Sequence, residues 1–150
     1  MSNFKPYTNY DFKIAIKYYF NDYCFNTINE TDISIIDFSG LNRTESLVGR
    51  YDNNDNSNSI ENWNTDNITD MSFTFSVFDF SNITSQDDVK EFNKDISAWN
   101  VSNVENMESM FQDCSGFNQD ITSWNTQDVS NMRNMFKGAI KFDQSLNDWS

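Results

Sequence analysis

Oxygen ligands are the chemical resource this chain has in quantity. Asp and Glu number 23 against 10 Lys and Arg, there is no His, and the net charge is -13 with a pI near 4.1. Without imidazole there is no His base, no His-ligated zinc, and no Ser-His or Cys-His pair. Carboxylate pairs do acid–base work only where burial or a neighbour shifts a pKa, and no spacing here singles out a pair. Asp66, Asn67, Ser102, Asn103, Gln127 and Asp128 form oxygen-rich turns of the kind that hold calcium. The same residue types build turns and helix caps, which is the reading adopted. The run 52–58 is similar to an EF-hand loop, but it lacks glycine at the sixth position and puts Trp63 where a bidentate Glu belongs, so it reads as a loop. Cys114 occupies the repeat slot of Ala139, which marks it as a small buried residue. The expectation is a non-enzymatic chain with no cofactor and no metal.

What would position these residues is a repeat. Phe92, Phe117 and Phe142 lie 25 residues apart, as do Ile96, Ile121 and Leu146, and Trp99, Trp124 and Trp149. Val104 maps onto Val129, Met107 onto Met132, Met110 onto Met135, and Phe111 onto Phe136. Ile60, Trp63, Ile68, Met71 and Phe75 carry an earlier copy, displaced by 36 residues because about 11 are inserted before Phe92. A degenerate copy runs from Ile33 through Ile36, Phe38, Leu41, Leu47 and Val48 to Tyr51. Self-similarity at this period means stacked supersecondary units.

Each unit reads as one strand and one helix. Trp99 and Val101 alternate as on one face of a strand, with Trp63/Thr65 and Trp124/Thr126 in the same places. Val104, Met107, Phe111 and Cys114 step by 3, 4 and 3, the spacing of one helix face. Ser102 with Glu105 fits a capping box, and Gly116 and Gly138 sit where helices would end. The predicted fold is an α/β solenoid, leucine-rich-repeat-like, with a short parallel sheet and an N-terminal capping helix. Residues 1–32 form the cap, with an amphipathic helix at 9–23. Residues 33–150 form the solenoid: a degenerate repeat at 33–59, a repeat with an insertion (60–95, insertion 79–91), repeats at 96–120 and 121–145, and a terminal strand at 146–150.

The runs 96–111 and 117–126 resemble a known repeat. It is the unit of about 25 residues of the BspA-like and mycoplasma-type surface proteins, with a consensus near F-N-Q-D-I-S-x-W-D-V-S-x-V-T-x-M-x-x-M-F, and the likeness covers about 60–150. The resemblance implies a distant leucine-rich-repeat relative with adhesive or interaction roles. Three departures stand out: no secretion or lipoprotein signal, W-N in place of W-D, and the insertion. A signal-free chain, poor in Gly, Pro and His, is closer to the versions found in large DNA viruses. With two cysteines and no signal sequence, an intracellular or virion location is favoured.

Function is therefore expected in surfaces. Asn64, Asn100 and Asn125 stand on the outward strand face beside each Trp, a face for a protein or glycan. Phe80, Ile83 and Val89 in the insertion either meet a partner or fold back on the helices. Leu146 and Trp149 form a C-terminal edge where the protein meets itself or a partner. The acidic charge disfavours nucleic acid, no stretch approaches a membrane span, and membrane contact is disfavoured. The expected function is a protein–protein interaction module; the alternative is a structural component of a virion or other assembly, packed through its solenoid edges.

Overall fold

The computed structural model describes Lys5, Thr8, Asn9, Phe12, Lys13, Ala15 and Ile16, then residues 60–77 and 89–149. The apolar residues that recur in the sequence close a series of tight turns. The backbone N–H of Trp99 bonds the carbonyl of Ile96 at 3.0 Å, Val104 bonds Val101 at 2.9 Å, Met110 bonds Met107 at 3.2 Å, and Cys114 bonds Phe111 at 3.0 Å. Trp124 to Ile121, Val129 to Thr126, Met135 to Met132 and Ala139 to Phe136 repeat the series in the next coil. Each bond spans three residues, so each turn advances the chain by three and brings another apolar side chain inward.

This geometry overturns the expected strand–helix units. Among the described residues there is no strand, no sheet and no helix in the repeats. Among the described residues, a 3₁₀ turn covers Ile60–Asn62. Among the described residues, parallel pairing takes the form of single bridges, Asp70 with Asn106 and Asn106 with Asn131. The physical reason lies in residues 107–113. Past its first turn, a helix bonds each N–H to the carbonyl four residues back in the same segment. Here alternate N–H groups leave the coil: Met107, Ser109, Phe111 and Asp113 donate to the carbonyls of Asn131, Arg133, Met135 and Lys137 in the next coil, at 2.8, 2.8, 2.9 and 2.7 Å. Left-handed residues interrupt the winding at fixed slots. Phe73, Ser109 and Asn134 share one slot with φ of 58, 52 and 57°, and Asp113 and Gly138 share another with φ of 60 and 75°. Left-handed φ at a non-glycine is uncommon, so its recurrence at equivalent slots marks a repeated backbone shape. A three-residue apolar step is common to a helix face and to a chain of turns, and the sequence pattern alone does not separate them.

The core is made of aromatic columns. Phe75, Phe111 and Phe136 stack with centroids 5.4 and 5.6 Å apart, and Phe92, Phe117 and Phe142 at 6.2 and 5.9 Å. The two columns touch within each coil: Phe75 on Phe92 at 4.1 Å, Phe111 on Phe117 at 4.0 Å, and Phe136 on Phe142 at 4.1 Å. Trp63 lies over Trp99 at 6.4 Å, and Trp124 over Trp149 at 6.3 Å. Three of the indoles also tie their coil to the one before, since Nε1 of Trp99, Trp124 and Trp149 donates to the carbonyls of Ile60, Ile96 and Ile121 at 2.8, 3.2 and 3.3 Å. Buried indole N–H groups seek such a partner, which fixes ring orientation as well as burial. Gly116 lets two coils approach closely. Its N–H bonds the Lys90 carbonyl at 2.7 Å, and a Cβ there would stand 2.8 Å from the Glu91 Cα.

The N-terminal residues meet this stack at its first described coil. Asn9, Phe12, Lys13, Ala15 and Ile16 are helical positions, and the Phe12 N–H bonds the Thr8 carbonyl at 3.1 Å. Most of the expected helix at 9–23 lies outside the described residues. Phe12 is fully buried, and its ring meets Trp99 edge-on with centroids 5.5 Å apart. Asn9 does something the sequence did not signal. Between later coils the N–H groups of Ser130 and Asn131 both reach the Glu105 carbonyl, and those of Glu105 and Asn106 both reach the Thr69 carbonyl. The N–H groups of Thr69 and Asp70 instead reach Asn9 Oδ1, at 3.0 and 3.2 Å. A side-chain amide thus stands in for the carbonyl of a preceding coil. The degenerate repeat at 33–59 lies outside the described residues, as does the insertion 79–91 except for residues 89–91.

Candidate interaction surface

Asn64, Asn100 and Asn125 occur one per coil at the position after Trp, with Asn64 half-buried and Asn100 and Asn125 exposed. Each Oδ1 accepts the N–H two residues on: Asp66 at 3.0 Å, Ser102 at 3.1 Å and Gln127 at 3.2 Å. Asn100 Nδ2 also donates to Asp66 Oδ1 at 2.8 Å, joining two coils. These residues fix corners, which is the ordinary role of Asn in an Asx turn. Asp66 and Asn103, read as cap or turn residues, meet across coils through Asn103 Nδ2 and the Asp66 carbonyl at 2.8 Å.

Two further polar rows went unread in the sequence. Asp70, Asn106 and Asn131 build a second set of Asx turns, accepting from Ser72, Glu108 and Arg133 at 2.8, 3.0 and 3.1 Å. Asn93 and Asn118 form a ladder between coils: Asn93 Oδ1 accepts the Asn118 N–H at 2.8 Å, and Asn118 Oδ1 accepts the Asp143 N–H at 2.9 Å. The signal that could have found them was present, since Asn93, Asn118 and Asp143 are 25 apart. An apolar repeat draws attention first, and a polar residue carries no sign of whether its side chain faces water or the next coil.

Asp70, Asp95 and Asp120 titrate below the ordinary 3.8. Hydrogen bonds from Ser97 lower Asp95, and hydrogen bonds from Thr122 lower Asp120. For Asp70 burial pushes upward, but the bonds from Ser72 and the Lys13 ammonium outweigh it and the net direction is down. A depressed carboxylate stabilises the fold above its unfolded pKa and loses that contribution as pH falls through the folded value. The melting temperature is expected to fall as pH drops below about 4. Replacing Asp95 and Asp120 together with Asn keeps the Oδ1 acceptors and removes the titration. Thermal melts between about pH 3 and pH 6 are expected to show a shallower fall for this variant. An identical fall in both proteins would assign the acid loss to other groups.

The insertion residues part company. Phe80 and Ile83 lie outside the described residues. Val89 is fully buried in the core, and its carbonyl lies 3.2 Å from Cys114 Sγ. Cys114 is itself fully buried, and burial pushes its thiol up to about 12. Thiolate is the reactive form. Native protein at about pH 8 is therefore expected to react with a disulfide reagent at Cys114 only as fast as it unfolds, with the rate rising to that of a free thiol in denaturant. Fast labelling of Cys114 in the native state would contradict its burial.

The last described coil offers the most distinctive surface. Leu146 and Trp149 are half-buried against the core, as are Phe136 and Phe142. Met132, Asn134, Phe136 and Gly138 occupy the slots of Met107, Ser109, Phe111 and Asp113. Among the described residues their N–H groups have no acceptor, whereas the equivalent four in the preceding coil are all paired. Ile140 beside them is 82% exposed. Among the described residues no group of His, Cys, Asp and Glu is placed to hold a metal ion, and no helix is long and apolar enough to cross a membrane.

A family described as Mycoplasma protein of unknown function, DUF285, matches residues 15–150. With most of its length matched, the chain belongs to that family, which is related to the BspA-like surface repeat proteins. No curated protein and no solved structure matches it.

Proposed function

We propose that this chain is a non-enzymatic protein–protein interaction module. The observation that carries the reading is the fate of its polar side chains. Asn64, Asn100, Asn125, Asn106, Asn131, Asp95 and Asp120 each accept an N–H two residues on. Groups committed to holding the backbone are poorly placed to act as acids, bases or ligands. What the coils offer a partner is a repeated, stacked surface held by buried rings. Its acidity favours protein over nucleic acid, because phosphate binding needs clustered Lys and Arg. The competing reading is a structural component of a virion or other assembly.

Light scattering over about a hundredfold range of concentration, paired with affinity capture on the immobilised protein, separates the two. A constant monomer mass with saturable capture of one protein supports the module. Mass that grows with concentration, with no capture, supports the structural component and overturns the module.

A further inference from the structure

Hydrogen bonding between coils runs one way along one wall. Met71, Phe73, Phe75 and Val77 donate to the carbonyls of Asn106, Glu108, Met110 and Gln112. Met107, Ser109, Phe111 and Asp113 donate in turn to those of Asn131, Arg133, Met135 and Lys137. The equivalent carbonyls of the first described coil belong to Asp70, Ser72, Thr74 and Ser76. Among the described residues, no N–H group reaches them. The N-terminal segment meets this coil instead, and it does so through side chains.

Asn9 Oδ1 accepts the Thr69 and Asp70 N–H groups, and Asn9 Nδ2 donates to Thr69 Oγ1 at 2.9 Å. Lys13 Nζ donates to Asp70 Oδ2 at 3.3 Å and to Ser72 Oγ at 3.1 Å. Lys5 Nζ lies 3.8 Å from Asp66 Oδ2. Phe12, Ala15 and Ile16 are buried. Among the described residues, no backbone–backbone bond joins this segment to the coil. Coil on coil, a row of backbone bonds has to break together. Here the charged partners are between 35 and 46% exposed, where water and salt screen them.

We infer that the segment carrying Lys5, Asn9, Phe12 and Lys13 is a strap: it opens from the first coil as one unit while the coils stay stacked, and its two lysine contacts make the opening respond to ionic strength. Opening uncovers the Thr69 and Asp70 N–H groups and the side of Trp99 that Phe12 covers. Elements held by few backbone bonds open below the free energy of global unfolding. The strap goes beyond the interaction reading and does not depend on it, since every contact it uses lies within this chain.

The corners supply their own control. Thr69 and Asp70 donate to the Asn9 side chain, whereas Glu105 and Asn106, in the same slots one coil on, donate to the Thr69 carbonyl. Native-state amide exchange of the full chain reads all four at single residues. Thr69 and Asp70 are expected to be protected equally, and at least about tenfold less than Glu105 and Asn106. Raising salt from about 0.02 to about 0.5 M is expected to speed Thr69 and Asp70 by about threefold or more relative to Glu105 and Asn106. Lys13→Met keeps an apolar stem and removes the charge. It is expected to speed Thr69 and Asp70, to shrink their salt response, and to leave Glu105 and Asn106 unchanged. Equal protection of the two pairs in the wild-type chain would show that segment and coils open together and overturn the strap. Fast exchange at Thr69 and Asp70 that ignores salt would overturn the ionic latch. A Lys13→Met variant in which all four amides speed up alike would show that the lysine holds the whole stack, which also overturns the strap.

Discussion

Phe111→Ala is expected to lower the free energy of unfolding by about 3–5 kcal/mol. Phe111 is fully buried and touches a ring on three sides: Phe117 at 4.0 Å in its own coil, Phe75 at 5.4 Å before it, and Phe136 at 5.6 Å after it. Removing it deletes apolar contact and opens a gap bounded by rings that cannot easily close in, because each is stacked on another. The loss is comparable with the whole stability of a small domain, about 5–15 kcal/mol. Urea unfolding followed by tryptophan fluorescence is expected to show a lower midpoint with little change in slope. Phe111→Leu keeps most of the volume and is expected to fall between alanine and wild type. A midpoint for the alanine variant near that of wild type would mean that the columns do not hold the coils together.

Trp124→Ala is expected to cost a similar amount, about 3–5 kcal/mol, but for a composite reason. The indole is 4% exposed, lies 6.3 Å over Trp149, and donates from Nε1 to the Ile96 carbonyl at 3.2 Å. Trp124→Phe separates the parts. It keeps an aromatic ring and loses the donor, and is expected to cost about 0.5–1.5 kcal/mol for the bond plus the smaller burial. The Ile96 carbonyl also accepts the Trp99 N–H, so it is not orphaned by the change. If phenylalanine proves as damaging as alanine, the bond between coils outweighs the packing, and the order of these two effects is reversed.

The identities of the core residues were legible in the sequence because burial is repeated. Ile96, Trp99, Val104, Met107, Met110, Phe111, Cys114 and Phe117 are all buried. A position that must exclude water in every coil keeps an apolar residue in every coil. The same pattern misled about secondary structure. Val104, Met107, Phe111 and Cys114 fit a helix face, yet the N–H groups of Met107 and Phe111 bond the next coil. Apolar spacing reports which side chains point inward. It carries nothing about where the backbone N–H groups go, and that destination is what separates a helix from a run of turns.

The surfaces were less legible still. Alternation in the sequence puts Asn64, Asn100 and Asn125 opposite the Trp residues, and in the structure Asn64 is half-buried while Asn100 and Asn125 are exposed. Asn is short enough to bond its own backbone, and the Oδ1 of each also accepts the N–H two residues on, which alternation alone does not signal. Asn9 could not be read at all, since its partners Thr69 and Asp70 are 60 and 61 residues away. By itself the sequence determined the period, the list of buried side chains and the absence of imidazole chemistry, because these depend on residue type and spacing alone. Only the tertiary structure decided that the coils are built from turns, that hydrogen bonding runs one way along their wall, and that the last described coil shows unpaired donors. Those properties belong to backbone groups that every residue shares, so no choice of side chain announces them.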